Sequence, residues 1–519
     1  MRLAYSVAAV RAAEAAAMAE LPDGELMQRA SFGLAAECIA LLRERHGSAV
    51  GRRCLLLVGS GGNGGDALWA GAFLARRGVQ VTALLLSERV HEPGRAALLD
   101  AGGRIIGVQA GVAAEVDHER DRADLILDGI TGIGGVGPLR PQAAAVARAA
   151  ADSTATIVAV DIPSGVDADT GVVADPERCV RADVTVTFGC PKPGHLVAPG
   201  RAQVGRLRIV DIGLDLAGIE PAVVVLDEDP DLDSAGHPPR WNDHKYSRGV
   251  VGVIAGCSAY PGAAVLAVGA ARRTGCGMVR LVDRDDRVRS AVLAAYPDVV
   301  AVEDLADART SGWLCGPGLG TDARAAALVA EVLAAGPPLV LDADALRLVA
   351  EDPLLMEQLL ERGRQGRVTV LLPHDGEFAR LGAGRGWPED GQAGRRVVTR
   401  TAADDLGAII VRKGPGTLTV GPSGVAYVED RGPADLATAG TGDVLAGLVA
   451  GFLAAASRRE GIAAEPGVAR LDPVRIVAAA VGWHARAARS ATGHHRFMTA
   501  ADLLDHLDRI EGQRDDDGR

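Results

Sequence analysis

Lysine is nearly missing from this 519-residue chain: of its 55 basic side chains only Lys192, Lys245 and Lys413 are lysines. They stand in Gly/Pro-rich turns, Pro-Lys-Pro-Gly, His-Lys-Tyr-Ser-Arg-Gly and Arg-Lys-Gly-Pro-Gly. Where composition disfavours lysine so strongly, one that remains is a candidate for a compact, rotatable point charge. Aromatic residues are also scarce, at 3%, so Ala, Val, Leu and Gly must fill the cores that an apolar content of 48% allows. There is no basic excess; a formal charge of −12 argues against nucleic acid as a main partner. No CxxC pair occurs among the dispersed Cys38, Cys54, Cys179, Cys190, Cys257, Cys276 and Cys315, which argues for reduced thiols over a disulfide framework or zinc site. The longest apolar run, Val444 to Ala456, falls short of the ~20 residues that span a bilayer. The opening residues carry Glu14 and Glu20 and no apolar signal core. The expectation is a cytoplasmic protein of two or three folding units, each of ~100–200 residues.

The first half predicts two helices, Val10–Glu20 and Glu25–Arg45, broken at Pro22-Asp23-Gly24. Apolar strands follow at Cys54–Val58, Val79–Leu86, Leu125–Leu127, Thr156–Val160, Val184–Phe188 and Leu207–Val210, with helical stretches between most of them. That alternation predicts a parallel sheet covered on both faces, with ligands at the carboxyl ends of the strands. The unusual residues fall there: Gly59 to Asp66 after the first strand, Asp128 to Pro138 after the third, and Asp161-Ile-Pro-Ser-Gly165 after the fourth. Gly59, Gly61 and Gly64 form a literal GxGxxG, with Glu88 near the next strand's end, which invites a dinucleotide-binding dehydrogenase. That motif leaves two further glycine-rich loops and Asp161 unexplained. Asn63, Asp128 and Ser164 offer oxygens suited to a monovalent cation, or each satisfies its own turn.

These loops resemble the amino-terminal domain of the NAD(P)H-hydrate epimerases over roughly residues 1–215. The match rests on Leu26-Met-Gln-Arg-Ala30, Asn63-Gly-Gly-Asp66, Val160 to Asp167 and Phe188-Gly-Cys-Pro-Lys-Pro-Gly194. The resemblance implies that Gly62, Asn63, Gly64, Gly65 and Asp66 contact the hydrated cofactor. It implies the same of Gly132, Ile133, Gly134, Gly135, Val136, Gly137, Pro138 and Asp161. Asn63, Asp128 and Ser164 would bind potassium. Asp161 is the candidate for proton transfer. One departure is Gly62, where the family usually has asparagine: a backbone contact survives it and a side-chain contact does not.

Between about Asp215 and Tyr246 the chain turns acidic and Pro-rich, with Asp227 to Asp233 and Gly236-His-Pro-Pro239, which predicts the domain junction. Strand–helix alternation then resumes. Val250–Ala255 leads to Tyr260-Pro-Gly-Ala-Ala264, Trp313–Cys315 to Gly316-Pro-Gly-Leu-Gly320, and Leu339–Leu341 to Asp342-Ala-Asp-Ala-Leu346. Val368–Leu372 leads to Pro373-His-Asp-Gly-Glu377, and Ile409–Arg412 to Lys413-Gly-Pro-Gly-Thr417. The most informative stretch is Thr438-Ala-Gly-Thr-Gly-Asp443, after which Val444, Leu445, Leu448, Val449, Phe452 and Leu453 recur at helical spacing. A glycine-rich loop feeding a helix favours an anion through its free N–H groups. An aspartate there adds negative charge. Asp443 therefore either caps the helix or takes a proton from a substrate hydroxyl while the N–H groups hold the transferred group.

From about Trp241 to Leu507 the order of these motifs, beginning with His244-Lys245, resembles the ribokinase-like NAD(P)H-hydrate dehydratases. The resemblance implies that Ala263, Gly318 or Gly320, His374 and Asp443 meet the hydrated nicotinamide. It implies that Lys413, Gly414, Pro415, Gly416, Thr417 and Gly442 hold the phosphoryl donor, ADP, with magnesium. A second departure is Asp375, where proline is usual, which adds charge near His374. The expected architecture is α/β: a Rossmann-like three-layer domain over 1–220, then a ribokinase-like α/β domain over 241–510. The expected activity is epimerisation of hydrated NADH and NADPH in the first domain and ADP-dependent dehydration of the S hydrate in the second, releasing AMP and phosphate. The expected partners are NADHX, NADPHX and ADP, with no nucleic acid and no membrane, in a homo-oligomer. Two alternatives remain: a vitamin-precursor kinase, since the Gly-Thr-Gly-Asp loop is shared with such enzymes, and a non-catalytic nucleotide sensor.

Overall fold

The computed structural model describes residues 2–107, 113–226, 241–282, 285–422, 424–460, 472–494 and 497–507. The acidic, Pro-rich stretch from Asp227 to Pro239 lies outside the described residues. The chain divides into two compact units. One is built from Leu3–Val223 together with Glu389–Val397, the other from Val224–Pro388 and Val398–Arg519 with the chain's first two residues.

The first unit carries seven parallel strands. From one edge they run Arg104–Gly107, Gln80–Leu85, Arg53–Val58, Leu125–Gly129, Thr156–Val160, Val184–Phe188 and Arg206–Val210. Counted in sequence from Arg53–Val58, the spatial order is 3-2-1-4-5-6-7, the doubly wound arrangement whose crevice lies at the strand carboxyl ends. Strand residues alternate between two cores: Cys54, Leu56 and Val58 join one, Leu55 and Leu57 the other. This is why these strands read as continuous apolar runs. Arg104–Gly107 was not expected from sequence, because only Ile106 in it is buried.

In the second unit five parallel neighbours form the centre of the sheet: Ile409–Arg412, Thr369–Leu371, Leu339–Leu341, Gly312–Cys315 and Val250–Ile254. Met278–Val282 and Val300–Val302 continue it on one side. On the other, Thr417–Val420 and Ala426–Glu429 pair antiparallel, so Lys413 to Gly416 is a hairpin tip rather than a crossover loop. These four strands are short or interrupted by Arg280, and apolar runs alone do not reveal them.

Helix Thr441–Glu460 crosses the core of this unit, with Val444, Leu448, Phe452 and their neighbours buried. Being apolar nearly all round, it must be enclosed. Glycines let it come close to helix Pro261–Ala271 and the turn that follows: a Cβ at Gly447 would lie 2.1 Å from the Ala267 carbonyl oxygen, and one at Gly451 2.3 Å from the Thr274 hydroxyl. The helix begins at Thr441, not after Asp443. Among the described residues no helix is long and apolar enough to cross a membrane.

Gly447→Ala should lower the calorimetric transition of the second unit by the ~1–3 kcal/mol typical of overpacking, because backbone cannot move aside as a side-chain tip can. Gly493→Ala, where a Cβ meets nothing within 4 Å, should leave the transition unchanged or slightly higher. Equal melting temperatures for the two variants would show that the helix crossing does not need Gly447.

Candidate active sites

The first site forms around Asp161, just past strand Thr156–Val160. This residue takes a left-handed φ of 62°, a conformation costing a non-glycine residue ~1–3 kcal/mol. Its backbone is held on both sides: the N–H donates to Val186 O at 2.8 Å, and the carbonyl accepts from His195 Nε2 at 2.7 Å. Carboxylate Oδ1 accepts from Lys192 Nζ at 2.6 Å, Thr187 Oγ1 at 2.7 Å and the Phe188 N–H at 3.3 Å. Among the described residues no donor reaches Oδ2. Lys192 is 1% exposed. Its remaining donors go to Thr187 Oγ1 at 2.9 Å and Phe188 O at 3.2 Å, so the ammonium is fully satisfied. Burial pushes the Asp161 carboxyl up, but the charge and hydrogen bond of Lys192 outweigh it and hold the group below the usual range. His195 is pushed down to about 4 by burial and by Lys192. Its Nδ1 accepts the Lys192 N–H at 2.9 Å, so the neutral ring carries its proton on Nε2 and donates it to Asp161.

Asp66 faces a different field. Burial, then the charge of Asp161, push its carboxyl up to about 8, and only a 3.3 Å hydrogen bond from Ser31 opposes this notably. Two carboxyls in one site therefore sit on opposite sides of neutrality, the pattern of an acid and a base. Glu14, from helix Val7–Glu20, is also raised by burial, with Lys192 acting against the rise.

Asn63 and Ser164 meet at Thr131, and Asp128 joins them through Ser164. Asn63 Nδ2 donates to the carbonyls of Thr131, at 3.0 Å, and Val160. Ser164 Oγ accepts the Thr131 N–H at 2.9 Å and donates to Asp128 Oδ1 at 2.6 Å, while the Ser164 N–H donates to Oδ2 at 2.8 Å. Burial pushes Asp128 up to about 6, and the groups that pull it down, Ser164 and the Ile130 N–H, are uncharged. A buried carboxylate with only neutral donors around it is what a cation would balance, although Asn63 enters the cluster through its amide nitrogen and not its oxygen. Gly132 lies against Asn63, since a Cβ there would sit 2.2 Å from Oδ1. Gly64 packs on Gly59 O, and Gly65 is buried beside it. Gly62 opens helix Gly62–Arg76, and a Cβ there would meet nothing within 4 Å. The departure from asparagine thus leaves the backbone untouched and an open space in place of a side chain. In the loop Gly132 to Pro138, Ile133 packs inward and Val136 is exposed.

The second site lines the carboxyl ends of the five central strands. Asp342, 1% exposed, receives Lys413 Nζ at 2.7 Å, and Glu377 Oε2 lies 3.9 Å from the same ammonium. Between the aspartates, Ala343 takes a left-handed φ of 48°. Asp344 Oδ2 accepts the Gly320 N–H at 2.9 Å. Gly318 lies against Ala263 and Tyr260, with a built Cβ 2.7 Å from that of Ala263, and Gly316 lies against Asp342 O. A Cβ at Gly442 would stand 3.5 Å from Lys413 Nζ, so the hairpin tip and the first turn of helix Thr441–Glu460 meet. Gly414 and Gly416 hold left-handed φ values of 141° and 65°, leaving Pro415 at the turn and Thr417 to begin the next strand, its hydroxyl on Gly414 O.

Asp443 lies inside the first helical turn and accepts no hydrogen bond among the described residues. The capping alternative is thereby removed. Burial, then the charges of Asp342 and Asp344, push its carboxyl up to about 7 against the pull of Lys413. His484, held neutral by burial, donates Nε2–H to Thr441 O at 2.9 Å and braces this turn. His374 caps helix Asp375–Leu381: its Nδ1 accepts from Gly376 N at 3.0 Å and its own N–H donates to Glu377 at 2.8 Å. Asp375 accepts from Arg412 Nε at 2.8 Å, so a buried guanidinium answers its charge.

Sequence reasoning thus placed Asp161, Asp443 and the glycine loops. It missed the roles of Glu14, Thr187, Lys192, His195, Asp342, Asp344 and Glu377. The rarity of lysine was the available signal: Lys192 and Lys413 each neutralise a buried carboxylate, whereas Lys245 lies over the Tyr246 ring near the surface.

A family model described as NAD(P)H-hydrate dehydratase matches residues 251–509, and one described as YjeF-related protein N-terminus matches residues 23–194. The bifunctional NAD(P)H-hydrate repair enzyme Nnr of Mycobacterium tuberculosis is 45% identical over 456 residues, covering 88% of this chain and 89% of the relative. That of Mycobacterium leprae is 44% identical over 462 residues, covering 88% and 90%. An ADP/ATP-dependent NAD(P)H-hydrate dehydratase from Bacillus subtilis, co-crystallised with ATP and magnesium, is 27% identical, with a TM-score of 0.43 over 53% of this chain and 94% of that one. With both matched regions in one chain and near-full-length similarity, this protein belongs to the bifunctional NAD(P)H-hydrate repair enzymes, which epimerise hydrated NADH and NADPH and dehydrate them back to the reduced cofactor.

Proposed function

We propose that the Asp161 site performs the epimerisation with Asp66 as acid and Asp161 as base, and that the Asp443 site performs the ADP-dependent dehydration. The observation that carries this reading is the opposed electrostatics of Asp66 and Asp161, near enough that the charge of Asp161 raises Asp66. The hydrate bears its hydroxyl on the nicotinamide carbon next to the ring nitrogen. As that C–O bond breaks, the nitrogen lone pair forms C=N and the departing oxygen takes the Asp66 proton, leaving as water. Water adds to the other face and gives a proton to Asp161 Oδ2. Lys192 positions Asp161 and keeps it ionised. Potassium held by Asn63, Asp128 and Ser164 would supply positive charge opposite Asp128.

At the second site Asp443 takes the proton of the S hydrate's hydroxyl, and that oxygen attacks the β-phosphoryl group of ADP, with AMP leaving. The nitrogen lone pair then expels phosphate, and loss of a proton from the neighbouring carbon restores the ring double bond. Lys413 and the N–H groups from Gly442 onward face the charge that develops on the transferred group. A base near pH 7 suits that step. Magnesium takes phosphate oxygens plus one or two carboxylates, and Asp344 would offer such a carboxylate. The cytoplasm, with its reduced thiols, suits seven free cysteines. In this scheme units 1–220 and 241–510 hold separate activities acting on NADHX and NADPHX.

Asp443→Asn should lower the dehydration rate by at least about a hundredfold, with ADP affinity by calorimetry retained and melting temperature unchanged or higher, while epimerisation is untouched. A variant keeping most of its rate removes Asp443 as base. One that fails only because ADP no longer binds makes it a donor-site residue.

The two activities should carry opposite pH limbs. The acid Asp66 must be protonated, so epimerisation should fall as pH rises through about 8, whereas dehydration should rise through about 7 as Asp443 ionises. Epimerisation flat to pH 9.5 would count against Asp66.

Exchange of potassium for lithium, or Asp128→Ala, should weaken epimerisation and spare dehydration of pure S hydrate. An epimerase indifferent to both has no cation site.

A further inference from the structure

The opening helix, Val7–Glu20, looks in sequence like an unremarkable amphipathic segment, and no part of it is needed for the proton transfers above. Its placement says otherwise. The Tyr5 N–H is bonded to Pro191 O at 3.0 Å, one residue before Lys192, and the Val7 N–H to Asp169 Oδ1 at 2.7 Å. Val7 packs with Ile162 and Ile133, and Val10 with Cys190 and Ile133. The helix is therefore pinned to the Asp161 turn, the Lys192 turn and the glycine-rich loop at once.

One turn further on, at the edge of that buried face, comes Arg11. Its side chain is exposed, yet it lies over the loop: a Cβ at Gly134 would stand 2.8 Å from Nη2. The glycine there lets the guanidinium lie close over the loop backbone. Arg11 makes no hydrogen bond or ion pair among the described residues, and its field is felt by Glu14, which faces Lys192 and Asp161. An unpaired guanidinium laid along a glycine-rich loop beside an active site has the chemistry of a phosphate receptor, with planar paired donors and a backbone open to close approach.

We propose that Arg11 is a substrate-recognition residue of the first unit, its guanidinium engaging a phosphate of the hydrated dinucleotide lying along Gly132 to Pro138. The inference rests on reading the Asp161 pocket as the epimerisation site. Both the pyrophosphate and the 2′-phosphate of NADPHX offer that chemistry, and the two substrates tell them apart.

The test is steady-state kinetics of the full chain with R hydrates of NADH and NADPH, followed by reduced-nicotinamide absorbance at saturating ADP, for wild type, Arg11→Ala and Arg11→Lys. Alanine is a strong helix former at an exposed position, so folding should be unaffected. Loss of a charge-assisted contact should raise KM by about tenfold to a hundredfold with kcat within about twofold, and Arg11→Lys should recover part of it. A rise for both hydrates assigns the pyrophosphate; a rise for NADPHX alone assigns the 2′-phosphate. Unchanged KM for both, or a fall in kcat alone, overturns the proposal. Asp161→Asn serves as the separate control: if it epimerises normally, the reading of the pocket fails, whatever Arg11 does. Dehydration of S hydrates should stay the same in all three Arg11 forms.

Discussion

A charge removed from water must be answered by an opposite charge or a full set of donors, and both candidate sites are arranged around that requirement. In one, Lys192 and Asp161 lie 2.6 Å apart at 1% and 8% side-chain exposure; in the other, Lys413 and Asp342 lie 2.7 Å apart at 21% and 1%. Each pair decides what its neighbours can do. Because Lys192 spends all its donors on Asp161, Thr187 and Phe188, it has none for Asp66, which stays protonated beside an ionised partner. At the second site burial, together with the charges of Asp342 and Asp344, outweighs the pull of Lys413 on Asp443 and raises it toward neutrality. Which carboxylate stays ionised thus follows in part from which one the lone lysine reaches.

The same economy shows in the backbone. Asp161 and Ala343 both adopt left-handed conformations directly after parallel strands. At each the chain turns next to a carboxylate of its site, Asp161 itself in one and Asp342 and Asp344 in the other. Such strain persists only where surrounding bonds over-determine it. At Asp161 those bonds are visible, from Val186 on one side and His195 on the other. The glycines nearby serve the complementary purpose of letting backbone and ligand approach: Gly59 on Ile130, Gly132 on Asn63, Gly316 on Asp342 and Gly447 on Ala267 are contacts no side chain could share. A chain poor in aromatics packs by close approach of small residues instead of by large rings.

Much of this was legible in the sequence. Apolar runs marked the buried parallel strands to within a residue or two, since strands covered on both faces cannot hide among polar residues. Glycine clusters and Asp161, Asp443 and Asn63 stood at the ends of those runs, where doubly wound sheets bind ligands. Periodicity after Asp443 marked a buried helix. The exposed or interrupted strands, Arg104–Gly107 and Met278–Val282, escaped because their burial depends on neighbours supplied from elsewhere in the chain.

The tertiary structure alone decided the protonation chemistry. Asp66 and Asp161 are the same residue type, and nothing local to either separates them; their difference comes from Lys192, which lies 31 residues beyond Asp161 and 126 beyond Asp66 in sequence. Asp443 could be read as a helix cap until the helix was seen to begin at Thr441, with Asp342 and Asp344 raising the carboxyl. The sequence by itself determined two α/β units, their strand ends and the glycine-rich loops that follow them, because apolar periodicity and glycine placement are local properties. Which carboxylate holds a proton is a property of burial and of charges brought together through space, and only the fold sets those.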